Sequence, residues 1–372
     1  MKKLPLNEIH KLLGANFCDL AGWSVPNDYG EELSEYKAVR ENVGIIDLSP
    51  RGKLLLSGKH HLKFLQGMLS NDVLKLEEGK GMYATILTVK GRMISDMRVY
   101  REKESILLDL EPGLNEKVLE LLTKFRLSYK ADIDDITLST GLLSIQGPRS
   151  GKLLELLLEE EIPQMEEFNF IQREFVGRDL TVIKVNRTGE EGFDLYLDNK
   201  GLEVLWSTLI NKGEGLNLKP VGCAAMNTLR VEAGIPVYGV DMDESNIPIE
   251  AGLWDALNFE KGCYVGQEVV ARIKWRGHVN WHLKGFKSEG GIVPEIGDEI
   301  SDGERKIGRI TSSTFSHRLD KPLSLGYIRR EFKEAGTKVS LKGKDGSEVR
   351  AEVNDLPFYK GSFKLKENVN IV

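Results

Sequence analysis

Past Trp281 the chain changes its patterning, and that change constrains the fold more than any other feature. Short strand-like runs follow one another there, separated by Gly290-Gly291, Gly297-Asp298, Asp302-Gly303 and Gly343-Lys344-Asp345-Gly346, with little helical periodicity. Turn signals at such spacing predict a small β-barrel over residues 280–372. Upstream the grammar differs. Residues 31–43 place Leu33, Tyr36, Val39 or Arg40, and Val43 on one helical face, with Gly44 as a stop. Strand-like runs at 53–57, 84–89, 142–146, 181–186 and 193–197 alternate with helical patterns at 61–69, 113–125, 150–160 and 201–211. A hairpin is expected from 93–100 and 105–110, joined by Glu102-Lys103-Glu104. Strands interleaved with helices of similar length predict α+β architecture, with helices on one side of antiparallel sheets. The 372 residues exceed what one core serves. The expected division is 1–279, holding two interleaved α+β domains, and 280–372.

The chemistry concentrates in Lys261-Gly262-Cys263-Tyr264-Val265-Gly266-Gln267-Glu268-Val269-Val270-Ala271-Arg272-Ile273-Lys274-Trp275-Arg276. Gly262 and Gly266 suggest a tight loop presenting Cys263. Arg272, Lys274 and Arg276 alternate with Ile273 and Trp275, so a basic strand is expected after the loop. Lys261 and Arg272 are positioned in sequence to draw the Cys263 thiol toward thiolate, the form that attacks or ligates. The alternative reading makes Cys263 one more small buried side chain.

Composition narrows the classes. A chain that is 41% hydrophobic and 29% charged is of the soluble globular kind. Pro5 and Glu8 interrupt any signal-length apolar run, and no stretch reaches the roughly 18 apolar residues of a membrane span. A cytoplasmic protein without a membrane partner is expected. The net charge of −6 gives no strong nucleic-acid footprint. Cys18, Cys223 and Cys263 lie far apart in sequence, with no C-x-x-C or metal-ligand spacing, so neither a metal site nor a full disulfide framework is expected. Dinucleotide, P-loop, zinc-protease and nucleophile-elbow motifs are missing.

The segment 261–272 resembles the K-G-C-Y-x-G-Q-E-x-x-A-R signature of the YgfZ family of folate-binding proteins, related to the T protein (aminomethyltransferase) of the glycine cleavage system. Leu20–Pro26, Ala38–Ser49, Leu69–Val73, Gln146-Gly147-Pro148, Arg187–Asp194 and Leu229–Gly234 resemble further T-protein segments. The resemblance implies a three-domain cloverleaf around a central folate cavity, with a C-terminal barrel. It implies tetrahydrofolate, or a derivative, as cofactor. It assigns signature-loop roles to Lys261, Gly262, Tyr264, Gly266, Gln267, Glu268 and Arg272, with Cys263 as the reactive centre. Asp96, in Gly91-Arg92-Met93-Ile94-Ser95-Asp96, matches the carboxylate that serves the pterin nitrogens. Tyr83, Asp194, Tyr238 and Trp254 match cavity positions. Arg187 and Arg230 are open to two readings: bidentate partners of the folate glutamate, or domain-bridging ion pairs.

Four departures count against aminomethyl transfer. Arg187 replaces an aromatic, Met226 an arginine, Leu110 or a neighbour an asparagine, and the signature loop a K-x-x-F-x-G-K. What this implies first is a folate-binding protein supporting iron–sulfur cluster assembly or repair and the tRNA modification that depends on it, with cluster proteins as partners. The alternatives are a folate-dependent aminomethyltransferase or related demethylase, and a non-enzymatic, folate-regulated interaction protein.

Overall fold

In the computed structural model, which describes residues 1–303 and 305–362, two sheets lie face to face with helices on their outer sides. The first sheet runs Phe170–Phe175, Arg178–Lys184, Gly192–Asp198, Thr140–Gln146, Val43–Asp47, Leu218–Pro220. It is antiparallel except for Leu218–Pro220, which lies parallel to Val43–Asp47. The second is antiparallel: Lys80–Leu87, Met93–Arg101, Ser105–Leu110, Gly52–Ser57, Asp132–Asp135. A closed six-stranded barrel, Trp281–Ser288 through Glu348–Asn354, follows. No helix among the described residues is long and apolar enough to cross a membrane.

Period-two patterning sorts each strand's side chains between two cores. In the first sheet Leu143, Ile145, Val182, Leu195 and Leu197 face the helices Ser150–Leu158 and Asn199–Gly213. Asp198 caps the latter, its side chain accepting from the backbone of Lys200 and Gly201. In the second sheet Leu54, Leu56, Met97, Val99, Ile106 and Leu108 face His61–Met68 and Asn115–Arg126. The alternate residues Tyr100, Leu107, Leu142, Ile183 and Tyr196 meet between the sheets in a smaller cluster. Where that interlayer turns polar, the candidate site lies.

Two local expectations need correction. Gly44 does not stop a helix. The helix ends at Glu41 and Gly44 lies within Val43–Asp47, where an added Cβ would fall 2.5 Å from Val39 and 2.6 Å from Val221. The glycine is there for close approach. The basic segment Arg272–Arg276 is not a strand but the last half of a helix, Gln267–Arg276. Gly266, at φ +87°, caps it in a conformation that a side chain resists, and its missing Cβ makes room for the carbonyl of Thr88. Glu268 in the first turn and Lys274 and Arg276 in the last suit the helix dipole, and Glu268 pairs with Arg272 at 2.6 Å across one turn. Val270 and Ile273, three apart, form the apolar stripe.

Candidate active site between the sheets

The register of the second sheet writes the site. Across it, Thr85 pairs with Asp96 and Tyr83 with Arg98; Arg98 then pairs with Asp109, and Asp109 with Lys53. Directly opposed residues share a face, so these side chains form adjoining rows turned toward the first sheet. That sheet answers with Asp194, Tyr196 and, from the preceding turn, Arg187. Arg51 bonds Asp109 at 2.6 Å and Glu111 at 2.5 Å. Arg187 bonds Asp194 through Nε and Nη2 and reaches Asp109 at 3.1 Å, and Arg98 lies 3.6 Å from Asp109. Burial alone would raise the Asp109 carboxyl, but these three guanidinium groups outweigh it and hold it at about 2.

Asp96 is held differently. The Tyr83 hydroxyl donates to Oδ2, while Oδ1 is buried with no partner among the described residues. Burial, followed by the negative charge of Glu111, pushes this carboxyl up to about 6. Arg98 Nε and the hydroxyls of Tyr100 and Tyr196 are likewise buried and unpartnered. Asp96, Arg98 and Tyr100 are alternate residues of one strand, so three successive inward positions each carry an unused polar atom. Buried polar atoms are nearly always paired, and a row of such exceptions marks where a polar ligand or water belongs.

Tyr83 thus sits in the site through its hydroxyl. Tyr238 is buried nearby, its hydroxyl donating to the carbonyl of Met93 at 3.2 Å, and Tyr264 belongs to the same apolar cluster. Trp254, 38% exposed and tilted against Phe259, stands at the surface. The guanidinium of Arg187 is committed to Asp194 and Asp109. Arg230 pairs with Asp241 at 2.5 Å and donates to Ser312 of the barrel at 2.6 Å. Both guanidinium groups are engaged in ion pairs, and Arg230 also reaches the barrel through its hydrogen bond to Ser312.

The signature loop is built differently from its expected chemistry. Lys261 is buried, and its ammonium donates to the carbonyls of Gln66, Leu69 and Asn71 at 2.6–2.9 Å, closing the C-terminal end of His61–Met68. Desolvation brings it down to about 8. Lys261 is engaged there, Arg272 pairs with Glu268 at the surface, and Cys263 is exposed. Gln267 reaches back to the carbonyl of Lys261 at 3.4 Å, and Gly262 has open space where a Cβ would stand, so of the two loop glycines only Gly266 is sterically required.

Cys18 is brought down to about 7, chiefly by its proximity to Cys223. The two residues, remote in sequence, meet beside Trp23 and Val25. Iodoacetamide modification of Cys18 is therefore expected to titrate near pH 7, and Cys223→Ala to move that midpoint up toward the roughly 8.5 of a free thiol. A midpoint unmoved by the substitution would count against the contact.

Sequence reasoning missed Arg51, Arg98, Asp109, Glu111, Tyr100 and Tyr196. A signal was present: Asp96-Met97-Arg98-Val99-Tyr100 alternates polar with apolar side chains in a strand read as one arm of a hairpin. Leu110, suspected at a lost asparagine position, points into the helix-side core, and its neighbours Asp109 and Glu111 take the inner face.

Comparison with known proteins extends over the whole architecture. Residues 6–261 match the GCVT N-terminal domain and residues 282–360 the glycine cleavage T-protein C-terminal barrel domain. An aminomethyltransferase of Caldanaerobacter subterraneus is 32% identical, covering 98% of this chain and 97% of its own. One of Halothermothrix orenii is 33% identical over 96% of this chain and 100% of its own. The crystal structure of glycine cleavage system aminomethyltransferase T from Bartonella henselae superposes with a TM-score of 0.90 at 26% identity, covering 97% of this chain and 99% of that one. These relatives carry the broader half of the resemblance read in the sequence and bear the name of what stood there as an alternative. The chain belongs to the glycine cleavage T-protein family.

Proposed function

We propose that this protein is a folate-dependent aminomethyltransferase, holding tetrahydrofolate between the two sheets with Asp96 at the reacting nitrogen. The observation that carries the reading is the buried, unpartnered Oδ1 of Asp96 in a row with Arg98 Nε and the Tyr100 hydroxyl, faced by the Tyr196 hydroxyl. A reduced pterin fits this set because its edge alternates N–H donors with nitrogen and carbonyl acceptors. Tetrahydrofolate, when bound, supplies the nitrogen that takes up the one-carbon unit. Asp96 orients that nitrogen and exchanges a proton with it, a task suited to a carboxyl poised at about 6. Tyr83 fixes the carboxyl's rotamer through Oδ2, and the flanking apolar cluster with Tyr238 and Tyr264 keeps water from the reacting atoms.

Support for iron–sulfur assembly, with cluster proteins as partners, is the weaker reading: it rests on an activated Cys263, whose expected cations are engaged elsewhere. Titration calorimetry with tetrahydrofolate is expected to give one site per chain, and the loaded protein to release ammonia from an aminomethylated lipoyl protein. Absence of binding heat, or release no faster than without folate, would remove the proposal.

A further inference from the structure

Asp96 and Glu111 face each other across two strands. Met97 pairs with Leu110 and Arg98 with Asp109, so the same register sets Asp96 opposite Glu111, one step beyond the last paired residues. Side chains so opposed start from Cβ atoms about 4.5–5.5 Å apart, and like charges there repel. Both residues lie in the interlayer, where repulsion is poorly screened.

The surrounding groups decide which carboxyl carries the charge. The groups that act on Asp96 are Tyr83 from the neighbouring strand, Arg98 two residues along its own, Arg51 just before the strand Gly52–Ser57, and Tyr238; Lys53, Arg187 and Asp194 belong to the same polar interlayer around Asp109. Arg51 bonds Glu111 and Asp109; Arg187 bonds Asp194 and Asp109; Arg98 approaches Asp109. Lys53 donates to the carbonyls of Ser49 and Arg51. Each of the other three carboxyls therefore has a guanidinium partner, while Asp96 has the Tyr83 hydroxyl.

We propose that Glu111 is a positioning residue that keeps a proton on Asp96, and that Arg51, by holding Glu111 ionised, fixes the proton at the Asp96 end of the pair. When the pair holds a single proton, that proton sits on Asp96, which then donates from Oδ1 while Oδ2 accepts from Tyr83. Two opposed carboxyls lose their protons in sequence, and the one lacking a cation ionises last. The upward shift of Asp96 agrees with this arrangement, and Glu111, despite burial that would raise it, is held below its usual range by Arg51 and Arg98. The inference rests on Asp96 being the reacting carboxyl, though not on which substrate it serves.

Infrared spectroscopy of the full chain without ligand tests it, so that failure of the folate reading leaves this result readable. The carbonyl stretch of a protonated carboxylic acid should appear with a midpoint of about 6 and vanish in Asp96→Asn. Glu111→Gln should move that midpoint down by about one pH unit, since removing the opposed negative charge lets Asp96 ionise more readily. Glu111→Asp should restore it. If the glutamine variant does not fold, Glu111→Met removes the same charge without an amide to satisfy and is read in the same way. A midpoint unmoved or raised by loss of the Glu111 charge, or a band that survives Asp96→Asn, overturns the proposal.

Discussion

Asp96→Asn should lower folate-dependent transfer by about two to four orders of magnitude, the range that a general acid–base group contributes. The amide nearly matches the carboxyl in shape. Its oxygen can still accept from Tyr83, and its nitrogen can occupy the place of the unpartnered Oδ1. What it cannot do is exchange a proton, so the loss should fall on kcat more than on KM. Because the native carboxyl is raised by burial, its ionised form is disfavoured in the folded protein, and the amide removes that cost at neutral pH. Thermal stability should therefore hold or rise while turnover collapses. A variant retaining more than a tenth of wild-type kcat would show that the proton at Asp96 is not in the rate-determining chemistry.

The fold was legible where periodicity is local and the site where resemblance reached it. The hairpin of Met93–Arg101 and Ser105–Leu110 and the helices around the two cores announce themselves by spacing within a dozen residues. The helix Gln267–Arg276 was misread because five residues alternating charge and apolar groups satisfy a strand pattern. What decided the matter was Gly266 as cap and Glu268 one turn before Arg272, and among the described residues no strand pairs with the segment. Asp96 and Tyr83 could be placed only by likeness to a family, since nothing in a single strand says that its polar face turns inward. The ions around them were invisible for a different reason. Arg51 finds Asp109 across 58 residues through strand pairing in one sheet and Arg187 finds it across 78 through the facing of two, and neither is set by neighbours in the chain. For the same reason Arg187 and Arg230 kept two readings in sequence.

The same lattice predicts the largest loss of stability. Asp109→Ala should destabilise the protein by about 3–5 kcal/mol, the penalty for stripping a buried charge of its partner. Asp109 is fully buried, and three guanidinium groups converge on it. Two of them have second partners: Arg51 keeps Glu111 and Arg187 keeps Asp194. Arg98 has no other ion pair among the described residues and its Nε is already unpaired, so it becomes the orphaned charge. The exposed pair Arg272–Glu268 supplies the contrast, since removing a surface i,i+4 pair costs only about 0.3–0.5 kcal/mol. The pH dependence follows in sign. Asp109 is depressed in the fold, so its contribution is present above the ordinary carboxylate range and is lost as pH falls from about 4 toward about 2. Urea unfolding of wild type should weaken over that window, and the alanine variant should lack that part of the slope. Because the orphan is Arg98, adding Arg98→Met to Asp109→Leu should recover part of the loss by replacing an ion pair with apolar volume. If the double variant is no more stable than the single, the cost lies in Arg51 and Arg187 instead, and the two sheets are joined by the whole network, not through one pair.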